Sequence, residues 1–204
     1  MRSRAFSLIE LLVVMALIGL LATLAVPAIS SIQRASALSS AENELTSMLS
    51  LARQTAIAQN QEVEVRLIRF KDPSAPGTEE RLGAFQLFTY NTDGQAIAVS
   101  RLKKLPSQIL IDSGTTLSTL ADPSLKKAWG SETKPPVSGV GTSYEAWSFR
   151  FRPDGSANVP PFPGTPWFLT LHDVRDGDNL AKPPANYVTL VMDAVNGNVT
   201  TWRP

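Results

Sequence analysis

The sequence has no cysteine and only one histidine, His172. The lack of cysteine excludes disulfides, thiolate chemistry and cysteine-ligated zinc or iron–sulfur sites. A single histidine excludes multi-histidine metal sites, and no Ser or Cys nucleophile motif accompanies it. We therefore expect that the protein is not an enzyme and that His172 is structural or solvated.

Charge of either sign is also scarce. Charged residues make up 18% of the chain, and the formal net charge is +1. A nucleic-acid partner is therefore not expected. The basic residues that could form a patch for DNA are equally consistent with dispersed surface charges: Arg101, Lys103, Lys104, Arg150 and Arg152.

An uncharged apolar run lies near the N-terminus. Arg2 and Arg4 precede it, and the 23 residues between Glu10 and Arg34 carry no charge. At about 1.5 Å per residue, such a helix would be roughly 35 Å long, which exceeds a hydrocarbon core of about 30 Å. The sequence predicts a membrane-spanning helix with a cytoplasmic N-terminus, the rest of the chain lying outside.

Glu10 is the unexpected residue at the head of this run. A charge at the middle of a membrane helix costs roughly 2.5–3.5 kcal/mol, and less near the interface. No partner for its carboxylate is evident in the sequence nearby. Ionisable groups inside membranes usually have functional partners, so Glu10 is a candidate functional residue.

The stretch from Ala5 to Val14, A-F-S-L-I-E-L-L-V-V, resembles the N-terminal signal of type IV pilins and type II secretion pseudopilins. This resemblance implies that a prepilin peptidase cleaves between Ala5 and Phe6 and that Phe6 is N-methylated. It also implies that Glu10 meets the N-terminal amine of a neighbouring pilin during assembly. Ala5 departs from the glycine that the family usually has before the cut, which bears on the efficiency of cleavage.

Two other interpretations of the N-terminus remain open. The first is an ordinary secretory signal, in which residues 1–4 would be the basic region and Val26-Pro27-Ala28 would be the cleavage site. The second is a plain single-pass anchor. Either would belong to a Sec-exported or membrane-tethered binding or enzymatic domain. A carboxylate at the head of the apolar region is unusual in a secretory signal, so we prefer the prepilin interpretation.

The helical pattern continues beyond the membrane segment. Apolar residues recur at spacings of three and four and form one stripe, as expected of a helix that packs on a sheet: Leu38, Ala41, Leu45, Met48, Leu49, Ala52 and Ala56. We expect one helix from about residue 6 to about 59, bent or locally opened at Pro27 because proline lacks a backbone donor. Its membrane or filament-core part is 6–33, its amphipathic part is 34–60, and a leader of residues 1–5 precedes it.

The remainder, residues 61–204, predicts a β-rich periplasmic head, so the fold class is α+β. The predicted strands are 62–67, 84–90, 95–101, 109–111, 147–152, 167–172, 187–193 and 199–202, the first of them half-buried because its charged and apolar residues alternate. Residues 113–144, rich in Gly, Ser, Thr and Pro, predict a surface insertion or long loop.

Two segments of the head resemble the GspH/FimT group of minor pseudopilins. They are residues 52–60, which lead into a strand, and Phe149-Arg-Phe-Arg-Pro-Asp-Gly155, which is similar to that group's "F-x-P-D-G" strand and turn. The Verru_Chthon cassette protein D group is another similar family. The resemblance implies a pilin-like structural subunit of an inner-membrane secretion pseudopilus or pilus. A minor pilin of a surface or DNA-uptake pilus would share these features.

Two further segments are candidate sites. Asp173, Asp176, Asp178 and Asn179 place four oxygen ligands in a short loop, which suits Ca²⁺, although such clusters are also ordinary turn residues. The prolines at 160, 161, 163 and 166 could form an exposed recognition edge or a rigid connection between strands.

Overall fold

The computed structural model describes residues 7–72, 79–130, 132–159 and 166–204, and within residues 22–30 it describes the backbone alone. The chain divides into two compact units, Met1–Ser36 and Ala37–Pro204. The division falls three residues after the boundary predicted from the sequence.

A single helix, α1, spans Leu8–Gln59. All seven residues of the predicted stripe are buried, none more than 8% exposed. The helix ends at Gln59 because Asn60 adopts a left-handed backbone conformation, φ 51°, from which Gln61 N–H donates back to Ala56 O at 3.2 Å. The predicted helix is therefore confirmed from Leu8 to its end at Gln59. Residue 6, its predicted start, lies outside the described residues.

The helical assignment runs through Pro27 without interruption. The predicted bend there stays a prediction. No helix within the described residues contains a stretch long and apolar enough to cross a membrane.

The described residues after α1 contain nine strands in one antiparallel sheet. They are β1 (Val63–Phe70), β2 (Arg81–Tyr90), β3 (Ala96–Ala98), β4 (Lys103–Lys104), β5 (Ile109–Ile111), β6 (Glu145–Phe151), β7 (Trp167–Asp173), β8 (Tyr187–Met192) and β9 (Val199–Trp202). The path through the sheet is β6-β1-β2-β5-β7-β8-β9, and both β3 and β4 pair with β2. The α+β fold class is confirmed, with β4 as a strand that the sequence did not predict.

The main core lies between the head part of α1 and one face of the sheet, here called the inner face. Val63, Val65 and Leu67 of β1 join the helix stripe in this core, together with Phe149 and Phe151 of β6. Each fully buried side chain of this size contributes roughly 1.5–3 kcal/mol relative to an exposed one. The alternation seen in the sequence thus correctly assigned the inner face of β1.

The outer face of β1 contradicts the prediction of a half-buried strand. Glu64 and Arg66 are fully buried, as are Ile68 and Phe70. The cause is the segment that was predicted to be a surface insertion, since it covers this part of the sheet. A second, smaller core forms there from Ile68, Phe70, Ala84, Val137, Tyr144 and Ala146, with Leu102, Trp129 and Val140 packed against it.

Candidate functional site

The first turn of α1 holds Glu10. Its Oε2 accepts a hydrogen bond from Ser7 N–H at 3.4 Å, and Glu10 N–H donates to Ser7 O at 3.1 Å. Ser7-Leu-Ile-Glu10 has the Ser-x-x-Glu spacing of a capping box, in which a glutamate satisfies a free N–H at the helix start. Glu10 therefore has a local partner, which the Ser-x-x-Glu spacing in the sequence could have indicated.

The first turns of α1 present apolar side chains outward. Leu8 is 87% exposed and Ile9 71%, and large apolar residues from Leu11 to Leu21 are likewise exposed. Contiguous exposed apolar surface marks an interaction with a protein or a membrane. Ala5 and Phe6, the predicted cleavage and methylation positions, lie outside the described residues, so both assignments remain predictions.

Comparison with known proteins agrees with the prepilin-type signal that the sequence predicts at the N-terminus. The prokaryotic N-terminal methylation motif matches residues 1–26. The N-terminal segment of the chain is therefore type IV pilin-like. The fold is one long helix followed by a large antiparallel sheet, as expected of the α+β class.

Two solved structures are similar to this pilin-like chain. The minor pseudopilin EpsH from the type 2 secretion system of Vibrio cholerae is 12% identical, with a TM-score of 0.43, covering 81% of this chain and 94% of that one. The type IV minor pilin FimU of Pseudomonas aeruginosa is 15% identical, with a TM-score of 0.41, covering 82% and 87%. No curated protein sequence matches significantly.

A buried ionic cluster lies on the outer face of the head. Arg66 Nε is 2.6 Å from Glu64 Oε1, and Arg66 Nη2 is 2.6 Å from Glu132 Oε1. Lys127 Nζ is 2.8 Å from Glu132 Oε2 and 3.2 Å from Glu64 Oε1. The Tyr90 hydroxyl donates to Glu64 and accepts from Lys127 Nζ at 2.8 Å. These contacts attach the insertion to β1 and β2.

The pKa values in this cluster follow from its neighbours. Burial acts to raise the pKa of Glu64, but Arg66, Tyr90 and Lys127 together lower it below its ordinary 4.5. Burial acts to lower the pKa of Lys127, yet hydrogen bonds to Glu132 and Tyr90 and the charge of Glu64 raise it above 10.5. The contacts of the cluster therefore favour the charged forms of both Glu64 and Lys127.

A second buried pair joins β7 to the loop after β5. His172 Nε2 is 3.1 Å from Asp112 Oδ2, and both side chains are fully buried. Asp112 also accepts from Gly114 N–H at 2.8 Å and from Leu180 N–H at 3.1 Å, so it connects two loops. Of the two predicted roles of His172, structural and solvated, the structural role is the one observed. Asp112 was not predicted, because no pattern in the sequence distinguishes it.

The pKa values of this pair move apart. Burial opposes the charged form of His172, but the hydrogen bonds to Asp112 and to the carbonyl of Asp173 raise its pKa above 6.5. Burial also opposes ionisation of Asp112, whose pKa is nevertheless lowered below 3.8 by His172 and by the two backbone donors. Both groups are therefore stabilised in their charged forms.

Two of the four predicted calcium ligands, Asp173 and Asp178, have carboxylates engaged in local contacts. Asp173 accepts from Arg175 N–H at 2.9 Å and faces its guanidinium at 3.1 Å. Asp178 accepts from the backbone and hydroxyl of Ser113 at 2.8 and 2.7 Å, and from Asn179 N–H at 2.8 Å. Across the described residues, no three Asp, Glu or His side chains converge as a metal site requires. Calcium binding involving Asp176 and its neighbours stays a prediction that this arrangement does not support.

The remaining candidates are dispersed or outside the described part. Arg150 is 3.0 Å from Glu62, Lys103 is 3.2 Å from Glu44, and Lys104 is 3.8 Å from Asp72. These cations therefore have acidic partners on separate elements. Most of the proline segment, residues 160–165, lies outside the described ranges.

Proposed function

We propose that this pilin-like chain is a minor pseudopilin, a structural subunit of a type II secretion pseudopilus or a type IV pilus-like filament, and not an enzyme. The observation that carries the proposal is the methylation motif over residues 1–26, which coincides with the exposed apolar start of α1. The proposed role requires no cofactor.

In this role a prepilin peptidase cleaves after Ala5 and methylates Phe6. The apolar part of α1 then anchors the chain in the bacterial inner membrane, with the N-terminus in the cytoplasm and the head in the periplasm. On assembly this part of α1 leaves the lipid and packs against other pilins, since its large side chains, such as Leu11 and Leu12, are exposed in the single chain.

Glu10 would act at the assembly step. In the single chain its carboxylate accepts from Ser7 N–H, so it is oriented toward the start of the helix. The amine of mature Phe6 would be one residue away in the chain. A neighbour's amine brought to the same end would compete for this carboxylate, and their pairing in a low-dielectric bundle would offset the desolvation of both charges.

The proposal is tested by replacing Glu10. The Glu10→Val chain should insert into the membrane as well as the wild type, because it removes a charge that opposes insertion. Its recovery in sheared filament or in complexes with other pilins should fall at least about tenfold, corresponding to about 1.4 kcal/mol of lost assembly free energy.

Ser7→Ala is the matched control, since the chain retains the backbone N–H of Ser7 and the carboxylate of Glu10. It should assemble normally. Incorporation of Glu10→Val at the wild-type level would contradict the proposed role of this carboxylate.

A further inference from the structure

The two ends of the strand path differ in how they are protected. At one end, β6 is covered by the chain's own segments: Lys127 N–H donates to Ala146 O at 2.8 Å, and Asn158 N–H donates to Arg150 O at 2.7 Å. The other end is β9. Among the described residues, neither a strand nor an isolated bridge pairs with the outer side of β9.

The ladder between β8 and β9 determines which backbone groups remain free. Asp193 N–H donates to Asn198 O at 2.9 Å, and Val191 stands opposite Thr200. Because backbone groups in an antiparallel ladder alternate in direction, those of Thr200 and Trp202 face β8. The N–H and C=O groups of Val199 and Thr201 face away from the sheet.

Sequence features that normally protect an edge strand are absent from β9. Val199-Thr-Thr-Trp202 has no charged residue and no proline, and its pairing with β8 shows no register shift. Native edges are usually protected by charges, prolines or bulges. The strand is also held in place, since Arg203 contacts Ser39 Oγ at 3.1 Å and Glu42 on α1.

Apolar surface lies beside this edge on the outer face. Trp202 is 55% exposed, and its ring lies 5.7 Å from that of Tyr187 between centroids. A groove lined also by Phe168, Pro183 and Val191 adjoins them. A strand added to β9 would therefore meet both free backbone groups and an apolar side-chain surface.

We propose that β9 pairs antiparallel with β9 of a second copy of this chain, about a two-fold axis through Thr200. Val199 of each copy then stands opposite Thr201 of the other, and their outward groups make four hydrogen bonds. This register is self-complementary, as a two-fold contact requires, and opposes no like charges within the strands. Trp202 of each copy gains cover from the other strand.

The size of the contact determines its strength. A ladder of four residues is much smaller than the roughly 1,200–2,000 Å² buried by stable complexes, so the pair is weak and depends on concentration. The two-fold contact closes on itself and joins two heads without propagating. It rests on the geometry of the head and not on the proposed filament role.

Disulfide trapping tests this register, because the native chain has no cysteine. In the purified full chain, Thr200→Cys places two thiols directly opposite each other in a pair that is not hydrogen-bonded. The expected Cα separation of about 4.5 Å is within the 4.4–6.8 Å range of disulfides. Mild oxidation should convert most of this variant to a covalent dimer.

Thr201→Cys is the matched control on the adjacent residue. In the proposed register its two thiols are offset by two residues, with a Cα separation on the order of 8 Å, too far for a disulfide. It should form less than about a tenth of the dimer formed by Thr200→Cys. Equal dimer from both variants would mean random collision and would overturn the proposal.

A second pair of variants tests the hydrogen bonds. In the Thr200→Cys background, Thr201→Pro removes an outward N–H while leaving the β8 ladder intact, and it should abolish the dimer. Thr201→Val keeps the outward N–H of residue 201 and should preserve the disulfide-linked dimer. Circular dichroism establishes that each variant is folded.

Three outcomes contradict the second-copy proposal. One is a persistent dimer in the Thr201→Pro variant, and another is the absence of any disulfide in Thr200→Cys. The third is protection of the Val199 and Thr201 amides from hydrogen exchange without cross-linking, which would mean that another strand occupies the edge.

Discussion

At the residue scale, the fold buries several charges that the sequence assigned to a solvent-facing side. Glu64 and Arg66 alternate with apolar residues in β1, which is the usual pattern of a strand with one wet face. The alternation shows which side chains of β1 are polar, but it does not show whether another segment of the chain covers that face. Burial was decided by Lys127 and Glu132, more than 60 positions along the chain, and no local pattern links those residues to β1.

Replacing Arg66 tests whether the buried cluster carries stability. Arg66→Met leaves the Glu64 carboxylate buried with Lys127, Tyr90 and Arg150 as its remaining partners. We expect a loss of about 3 kcal/mol in the free energy of unfolding, measured by urea denaturation, because Glu64 and Glu132 each lose a cation at 2.6 Å and the remaining cations replace it only in part.

An exposed pair provides the control for Arg66→Met. Lys126 and Glu145 are 2.6 Å apart, with 47% and 44% of their side chains exposed. Lys126→Met should change stability by less than about 1 kcal/mol, since surface pairs contribute little. Equal effects of the two substitutions would contradict the structural role of the cluster.

The buried pair of His172 and Asp112 predicts how stability depends on pH. The pKa of His172 is raised above 6.5 in the fold, so its contribution is complete below that pH and is lost as pH rises through the raised value. The pKa of Asp112 is lowered below 3.8, so its contribution is present above 3.8 and is lost as pH falls through the lowered value. The pair therefore stabilises most between these two limits.

The measurement is the urea midpoint of the wild type and of His172→Gln between pH 5 and 9. The difference in stability between them should be largest at the acidic end and should shrink as pH rises. A difference that is constant over this range would show that His172 does not change its charge with folding as described.

At the element scale, α1 was the part of the chain most fully predicted from the sequence. Its apolar stripe and its end at Gln59 are local properties, set by the helical period and by the turn at Asn60. The strands were found as elements, but β1 extends three residues beyond its predicted end and β2 begins three residues before its predicted start. Their ends depend on pairing with other strands, which no local pattern specifies.

The turn between β8 and β9 lies very close to α1 and to the turn after β6. Gly197 has φ +68°, and a Cβ placed there would overlap Gly155 O and lie 3.1 Å from Arg53 Cδ. Arg53 Nε also donates to Asn196 O at 2.7 Å. This turn therefore packs against both the helix and the turn after β6.

Gly197→Ala tests this packing against Gly94→Ala. Gly94 has a similar φ, +75°, with nothing within 4 Å of an added Cβ. Gly94→Ala should cost only the left-handed conformation, about 1–2 kcal/mol, whereas Gly197→Ala should cost at least about 1 kcal/mol more. Urea unfolding of the two variants measures the difference, and equal losses would mean that the close approach contributes nothing.

At the scale of the whole molecule, the proposed function was indicated by ten residues at the N-terminus. The fold class was indicated by hydrophobic patterns along the rest of the chain. The signal from Ala5 to Val14 is specific because a phenylalanine, a glutamate and an apolar run must coincide. The head carried no comparable signal, because its ionic clusters join residues that are far apart in sequence. The segment 113–144 was predicted as a surface insertion or long loop, and its role as a cover for the sheet depended on tertiary packing that no local pattern specifies.

The central claim, that this chain is processed as a prepilin, is tested most directly by intact-protein mass spectrometry of the membrane fraction from cells with and without an active prepilin peptidase. With the peptidase, the protein should lack residues 1–5 and carry one methyl group on the amine of Phe6. Without it, the chain should retain residues 1–5 and carry no methyl group. A mature N-terminus at Met1 or Ile29 in cells with the active peptidase would contradict the account.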